Sequence, residues 1–260
     1  IVGSAIGYAM GGGKAMMEMQ FSDFVSTGFN QIVNNAAKLH WRWGQGVDVV
    51  IRMPTGAGVA AGPFHSQSTE AWFTHTPGLK VVYPAYPGEA KALLLASFAD
   101  PNPVMFFEHK ALYRTLKEEV PEGLMSMTLG KGAVVSEGSD LTIITYGMGV
   151  HWALDAIEAL ELSGRVEVFN LRTLVPLDFN GVAQSVRKTG KVIVLQEDVA
   201  VGGYGEHIVA RITKECWESL DGPVTLVASD PTPVPFHQDL EEGYLAKSKL
   251  HAAIEDLLSY

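Results

Sequence analysis

Val47-Asp48-Val49-Val50-Ile51-Arg52-Met53-Pro54-Thr55-Gly56-Ala57-Gly58 decides the fold. Residues 47–53 are a β-branched, largely apolar run, which reads as a strand. The glycine-rich loop that follows lets backbone approach a ligand or a neighbouring chain. Outward from this strand the rhythm repeats. A helix is expected from Ser68, a strand over 80–83, a helix over 88–98 and a strand over 104–108. Strands that alternate with helices build a largely parallel α/β sheet.

Upstream, residues 1–10 read as a short helix of small residues ended by Gly11-Gly12-Gly13, and residues 15–19 as a strand. Apolar residues at 21, 24, 25, 29, 32, 33, 36 and 37 predict a helix over 21–41, with Asp23 near its start, where the helix dipole favours an anion. Downstream, residues 113–131 break the rhythm with Lys117-Glu118-Glu119, Pro121 and Gly123, and read as a surface linker. A second α/β run follows. Strands are expected over 141–146, 166–169, 191–195 and 224–227, and helices over 151–162, 179–188, 204–217 and 248–258. Asp178 is the candidate N-cap of the second of these helices. The expectation is two α/β domains, 1–125 and 126–260, each with a largely parallel sheet flanked by helices.

Of the 260 residues, 47% are hydrophobic and 18% charged, which excludes a disordered or collagen-like chain. Nineteen Lys and Arg face 29 Asp and Glu, a net charge of −10, so the basic field of a general nucleic-acid binder is missing. A basic protein partner suits this balance better. The one cysteine, Cys216, cannot form an intrachain disulfide, which fits a reducing compartment such as the cytoplasm. No apolar run reaches the roughly 18 residues of a membrane span, and no signal peptide is visible. The chain opens at Ile1 inside an apolar, glycine-rich segment, so further sequence is expected upstream.

His65 is the leading candidate for chemistry. It sits in Gly62-Pro63-Phe64-His65-Ser66-Gln67-Ser68, after the glycine-rich loop and before a helix. Imidazole exchanges protons near neutral pH, and a helix start favours an anion. The plainer alternative is a histidine that caps local backbone. His65-Ser66 does not make a hydrolase, because adjacent side chains diverge and no G-x-S-x-G elbow occurs. Cys216 lies in a helical apolar pattern and reads as core. Neither Gly11-Gly12-Gly13 nor Gly202-Gly203 forms a dinucleotide fingerprint, and the histidines at 40, 65, 75, 109 and 151 lack metal-ligand spacing. Arg42 between Trp41 and Trp43 reads as an ordinary helix end or a cation–π pair. Glu18 and Gln20 share one strand face, and a buried Glu18 would need a partner. Asp100-Pro101-Asn102-Pro103 reads as a turn whose oxygens also suit a cation.

Six segments then occur in one order: Glu18 to Phe24, Phe29 to Asn34, Pro63 to Ser68, Pro77 to Val82, Asp100 to Pro103 and Leu171 to Pro176. Together they resemble the beta subunit of the thiamine-diphosphate-dependent decarboxylase component of 2-oxo acid dehydrogenase complexes, over essentially the whole chain. The resemblance implies a transketolase-like pyrimidine-binding domain followed by a transketolase C-terminal domain. It implies oxidative decarboxylation of a 2-oxo acid and reductive acylation of a lipoyl group on an acyltransferase core. Gln20 and Phe24 match positions that pack around the cofactor's aminopyrimidine ring, although many relatives carry tyrosine where Phe24 stands. His65 matches the histidine beside the reactive carbon. Asp100 and Asn102 match a turn that binds a cation such as K+, its other ligands being backbone carbonyls near Val49 and Val50.

The family's Mg2+ and diphosphate are held by an alpha subunit, or by an alpha half of a fused chain, through a Gly-Asp-Gly motif that this sequence lacks. The glutamate that activates the aminopyrimidine is expected just upstream of Ile1. Glu108 to Arg114 resembles the branched-chain subgroup more than the mitochondrial pyruvate one. A heterotetramer or a dimer of fused chains is implied, and Tyr260 is a candidate docking contact for the acyltransferase. Two alternatives stay open: an assembly module without catalysis, and another transketolase-like enzyme, for which basic phosphate-binding residues are few.

Overall fold

Val49 begins a strand with neighbours on both sides. The computed structural model describes residues 1–125 and 127–260. The first half runs α1 (Val2–Met10), β1 (Ala15–Glu18), α2 (Ala37–Trp43), β2 (Val49–Thr55), α3 (Glu70–Thr74), β3 (Lys80–Val82), α4 (Pro87–Ala99), β4 (Val104–His109) and α5 (Leu112–Thr115). The second runs β5 (Ala133–Ser136), β6 (Gly138–Thr145), α6 (Met148–Ala159), β7 (Gly164–Asn170), β8 (Thr173–Val175), α7 (Phe179–Thr189), β9 (Val192–Val199), α8 (Tyr204–Glu215), β10 (Thr225–Ser229), α9 (Gln238–Tyr244) and α10 (Lys247–Ser259). One sheet has the order β1-β2-β4-β3-β8 and the other β10-β9-β6-β7-β5. Among the described residues, the pairings are parallel except β3 with β8 and β5 with β7.

The apolar run of β2 follows from burial on both faces. Val49, Ile51 and Met53 join a core with Val81, Met105 and Phe107. Val50 faces the other way, onto Val82, Val104, Phe106 and Leu93 of α4. Arg52 is the charged exception, and it is fully engaged. Its Nε and Nη2 donate to Glu108 at 2.7 and 2.6 Å, and Nη1 donates to Glu18 at 2.7 Å. Glu18 is exposed, so burial does not require a partner for it, and Arg52 is nonetheless paired with it.

The single helix expected over 21–41 is three pieces. A 3₁₀ turn spans Ser22–Gly28, a wider π turn spans Gln31–Ala36, and only then does α2 begin. Ser22 and Asp23 spend their side chains on neighbouring segments, and such side-chain bonds compete with a regular helix. Gly28 also packs so closely on Val2 that a Cβ would lie 2.6 Å from its side chain.

β8 was not expected. It is three residues long, is closed by Pro176, and pairs across the molecule with β3. The second half thereby adds a strand to the first sheet. Arg172 Nε donates to Glu89 Oε1 at 2.6 Å, and Asn170 Nδ2 donates to both oxygens of Glu89, at 3.2 and 3.0 Å. The boundary expected at 125/126 falls on Ser126, which lies outside the described residues.

Candidate active site

Open α/β sheets place ligands beyond the carboxyl ends of their strands. Here those ends present Gln20 after β1, Thr55 on β2 and His109 on β4. The loop 56–68 springs from β2 and is stitched to the segment after β1. Thr55 Oγ1 donates to the Gln67 carbonyl at 2.8 Å, and Ser22 Oγ donates to Thr55 Oγ1 at 3.1 Å. Asp23 Oδ1 accepts the Gln67 backbone N–H at 3.0 Å and its side-chain amide at 3.1 Å.

This stitching sets His65 edge-on to two phenyl rings. The ring centroids lie 5.5 Å apart for Phe24 and 6.0 Å for Phe21, with interplanar angles of 77° and 74°. His65 is exposed, as are Phe64 and Gln20, and Phe24 keeps 41% of its surface in solvent. The structure thus brings His65 and Phe24 together. Gln20 stands beside them on the chain, next to Phe21. The arrangement offers an apolar wall, an amide for recognition, and an imidazole free to hold or move a proton on something bound in front of it.

Asp100 and Asn102 lie elsewhere. They precede β4, at the amino ends of the strands, so the length of β4, about 20 Å, separates them from the His65 end. Asp100 Oδ1 accepts the Asn102 backbone N–H at 2.9 Å and its side-chain amide at 2.8 Å, and the Lys80 ammonium pairs with Oδ2. Burial pushes the Asp100 carboxyl up, but the hydrogen bonds and charge from Lys80 and Asn102 outweigh it and hold it below the usual value. The Lys80 ammonium thus already balances the charge of this carboxylate. Val49 and Val50 run inside β2, paired with β1 and, at Val50, with β4. Among the described residues, no three His, Cys, Asp or Glu side chains converge on a metal position.

Beneath the loop lies a buried polar cluster that sequence reasoning missed. His109 Nε2 meets Glu197 Oε2 at 2.7 Å, and Tyr146 donates to Glu70 Oε1 at 2.9 Å. Burial, with the charge of Asp198 adding to it, pushes the Glu70 carboxyl up to about 8. Burial likewise pushes Asp198 up to about 7, with Glu197 adding repulsion. The one sequence signal was Gln196-Glu197-Asp198, a polar triplet at the end of an apolar strand.

The comparisons with known proteins agree with this geometry. Residues 1–115 match the family described as the transketolase pyrimidine binding domain, and residues 130–249 match the transketolase C-terminal domain. The chain is similar to the 2-oxoisovalerate dehydrogenase subunit beta of Bacillus subtilis, 41% identical over 267 residues that cover 100% of this chain and 81% of that protein. It is also 41% identical, over 241 residues, to the pyruvate dehydrogenase E1 component subunit beta of the same organism, covering 92% of this chain and 74% of that one. Among solved structures, a split gene transketolase in an inactive beta4 tetramer superimposes with a TM-score of 0.79. That alignment is 26% identical and covers 99% of this chain and 80% of that one. Fold and site together define a transketolase-like protein whose first domain is of the pyrimidine-binding type. More narrowly, the chain belongs to the family of beta subunits of the thiamine-diphosphate-dependent 2-oxo acid dehydrogenase decarboxylase component.

The exposed residues fit one side of that cofactor. Phe24 and His65 form a wall for a flat ring, and the Ser66 hydroxyl and Asp23 Oδ2 are buried in the same loop junction without a partner among the described residues. No Gly-Asp-Gly segment offers a diphosphate seat.

Proposed function

We propose that this chain forms the pyrimidine side of a decarboxylase that favours branched-chain 2-oxo acids over pyruvate and passes the acyl unit to a lipoyl group. The observation that carries this reading is the exposed His65 ring, fixed beside Phe24 at the carboxyl end of a parallel sheet. In this reading Gln20 and Phe24 face the aminopyrimidine, and His65 holds or moves a proton during acyl handover. When bound, thiamine diphosphate supplies the electron sink for decarboxylation.

An alpha subunit, or a fused alpha half, supplies the seat for Mg2+ and diphosphate. The apolar side chains that α1 and α2 leave in solvent, Tyr8, Met10, Trp41 and Trp43, support such a partner. The assembly would be a heterotetramer or a dimer of fused chains that docks a lipoyl-bearing acyltransferase core. Any K+ near Asp100 and Asn102 would rest on main-chain oxygens. We put the domain boundary at 125/126, a reading supported by family matches that end at 115 and resume at 130. No helix among the described residues is long and apolar enough to cross a membrane, which is compatible with a cytoplasmic site of action.

The test is decarboxylation by the assembled enzyme with an artificial electron acceptor, comparing 3-methyl-2-oxobutanoate with pyruvate. Turnover that vanishes without cofactor, with the higher kcat/KM on the branched acid, is expected. A preference for pyruvate overturns the substrate reading. No turnover of either acid by a cofactor-loaded assembly favours a docking module instead.

A further inference from the structure

The loop that carries His65 is held by carboxylates from the other half of the molecule. Glu197 leaves the end of β9 with 7% of its surface exposed. Its Oε1 accepts the Ala57 N–H at 2.6 Å and the Ser68 hydroxyl at 3.4 Å, so one oxygen touches both ends of the loop. Its Oε2 takes His109, whose Nδ1 accepts the Ala111 N–H at 3.3 Å, which leaves the ring proton on Nε2 facing Glu197. Burial pushes the Glu197 carboxyl up, yet His109, the Ala57 N–H and Lys110 outweigh it and hold it below its ordinary value.

The crest of the loop has a second holder. Glu241 on α9 is buried, and its Oε2 accepts the Ala60 N–H at 2.9 Å. At Gly62, φ +70°, a Cβ would come within 2.3 Å of the Phe236 ring, so backbone lies directly on that side chain. Lys110 Nζ lies 4.8 Å from the Phe21 ring centre, and burial holds this ammonium below its ordinary value against the opposing charges of Asp23, Glu197 and Glu241. Two carboxylates buried under one loop are weak devices for stability, because desolvation offsets most of their attraction. They are good devices for fixing position. Among the described residues, the loop's polar ties to the second half fall at Ala57, Ala60 and Ser68, and the stretch 61–67, which carries Phe64 and His65, has none.

We propose that Glu197 is a positioning residue for the reaction: by fixing Ala57 and Ser68 from the second domain it sets the place of His65, with Glu241 fixing the crest. The inference rests on the reading of His65 as the proton-transfer group. A shift of about 1 Å in such a group costs on the order of a hundredfold in rate.

The experiment uses the enzyme assembled with its alpha partner and a lipoyl domain as acyl acceptor. It compares Glu197→Ala, Glu197→Gln, Ser68→Ala and His65→Ala by kcat, by KM for the 2-oxo acid, and by amide hydrogen exchange over 56–68. Glu197→Ala is expected to lower kcat about ten- to a hundredfold with KM within about threefold, and to speed exchange across the loop. Glu197→Gln keeps an acceptor for Ala57 but turns its amide N–H toward the His109 Nε2–H, so it should recover only part of the rate. Ser68→Ala, which leaves the core intact, should show a smaller effect of the same kind and serves if Glu197→Ala fails to assemble. Unchanged loop exchange in Glu197→Ala overturns the proposal, as does a wild-type kcat there while His65→Ala is crippled. If His65→Ala is itself fully active, the reading of His65 fails. The exchange data then decide the clamp alone: faster exchange upholds it and unchanged exchange ends it.

Discussion

Tyr146 donates a hydrogen bond of 2.9 Å to Glu70 across the boundary between the two halves, where both side chains are buried. Glu70 opens α3 at the far end of the His65 loop, and its second oxygen has no protein partner among the described residues. A carboxylate in that position is expensive when ionised, which is why its proton is retained toward about pH 8.

The sign of the resulting pH dependence follows. The native chain keeps a proton that the unfolded chain loses at the ordinary glutamate value of 4.5. The associated stability is fully present below 4.5 and is lost as pH rises through about 8. Asp198, raised to about 7, adds in the same direction. Glu70→Gln keeps an acceptor for Tyr146 and removes the buried charge. It should melt within about 1 °C of the wild type near pH 4.5 and several degrees higher at pH 8.5. A difference between the two proteins that is the same at both pH values would refute the assignment.

Gly56 marks the other end of the loop. Its φ is +92°, and a Cβ there would lie 2.1 Å from His109 Nε2, the nitrogen that faces Glu197. Gly56→Ala should therefore displace the His109–Glu197 pair and cost about 2 kcal/mol or more, from overpacking and from strain at positive φ. Thermal melting should show a drop of roughly 5 °C or more. An undisturbed melt with a wild-type rate would mean that the loop relaxes freely, contrary to its stitching at Thr55 and Asp23.

Residues whose role is local were legible in the sequence. The double-faced burial of β2 is written in its β-branched run, and Asp178 does cap α7, accepting the Gly181 N–H at 3.2 Å. Residues whose role depends on distant chain were not. The broken helix after Phe21 depends on Ser22 and Asp23 finding Thr55 and Gln67. β8 has no periodicity of its own and exists because β3 offers an edge. His65 could be singled out from its loop, but its seat against Phe24 could not. The His109–Glu197 contact joins residues 88 apart, and no spacing rule reaches that far.

The Lys80–Asp100 pair makes a third prediction. Lys80→Met leaves the Asp100 carboxylate with Asn102 alone. The loss should be about 1–2 kcal/mol at pH 7 once solvent screening is allowed for, a fall of a few degrees in melting temperature. Because the Asp100 carboxyl is held below its ordinary 3.8, the pair contributes stability above that value and loses it as pH falls through the native one. The deficit of Lys80→Met should therefore shrink toward pH 3. A deficit that persists undiminished there would trace to lost packing by the lysine stem.

The sharpest consequence concerns His65. Its side chain is exposed and touches Phe24 and Phe21 only by ring edges, so His65→Ala should melt within about 1 °C of the wild type. If Gln20 and Phe24 face the cofactor, its affinity should change less than about threefold in this variant, while Phe24→Ala weakens it about tenfold. General acid–base catalysis is worth about a hundred- to ten-thousandfold, so acyl transfer to a lipoyl domain should fall by that order in His65→Ala. Decarboxylation read with an artificial acceptor should fall less, because that assay bypasses handover to the lipoyl group. Single-turnover kinetics of both steps on the assembled enzyme separate the two. Equal losses in both would move His65 from handover to an earlier step, and undiminished lipoyl acylation would remove it from the chemistry altogether.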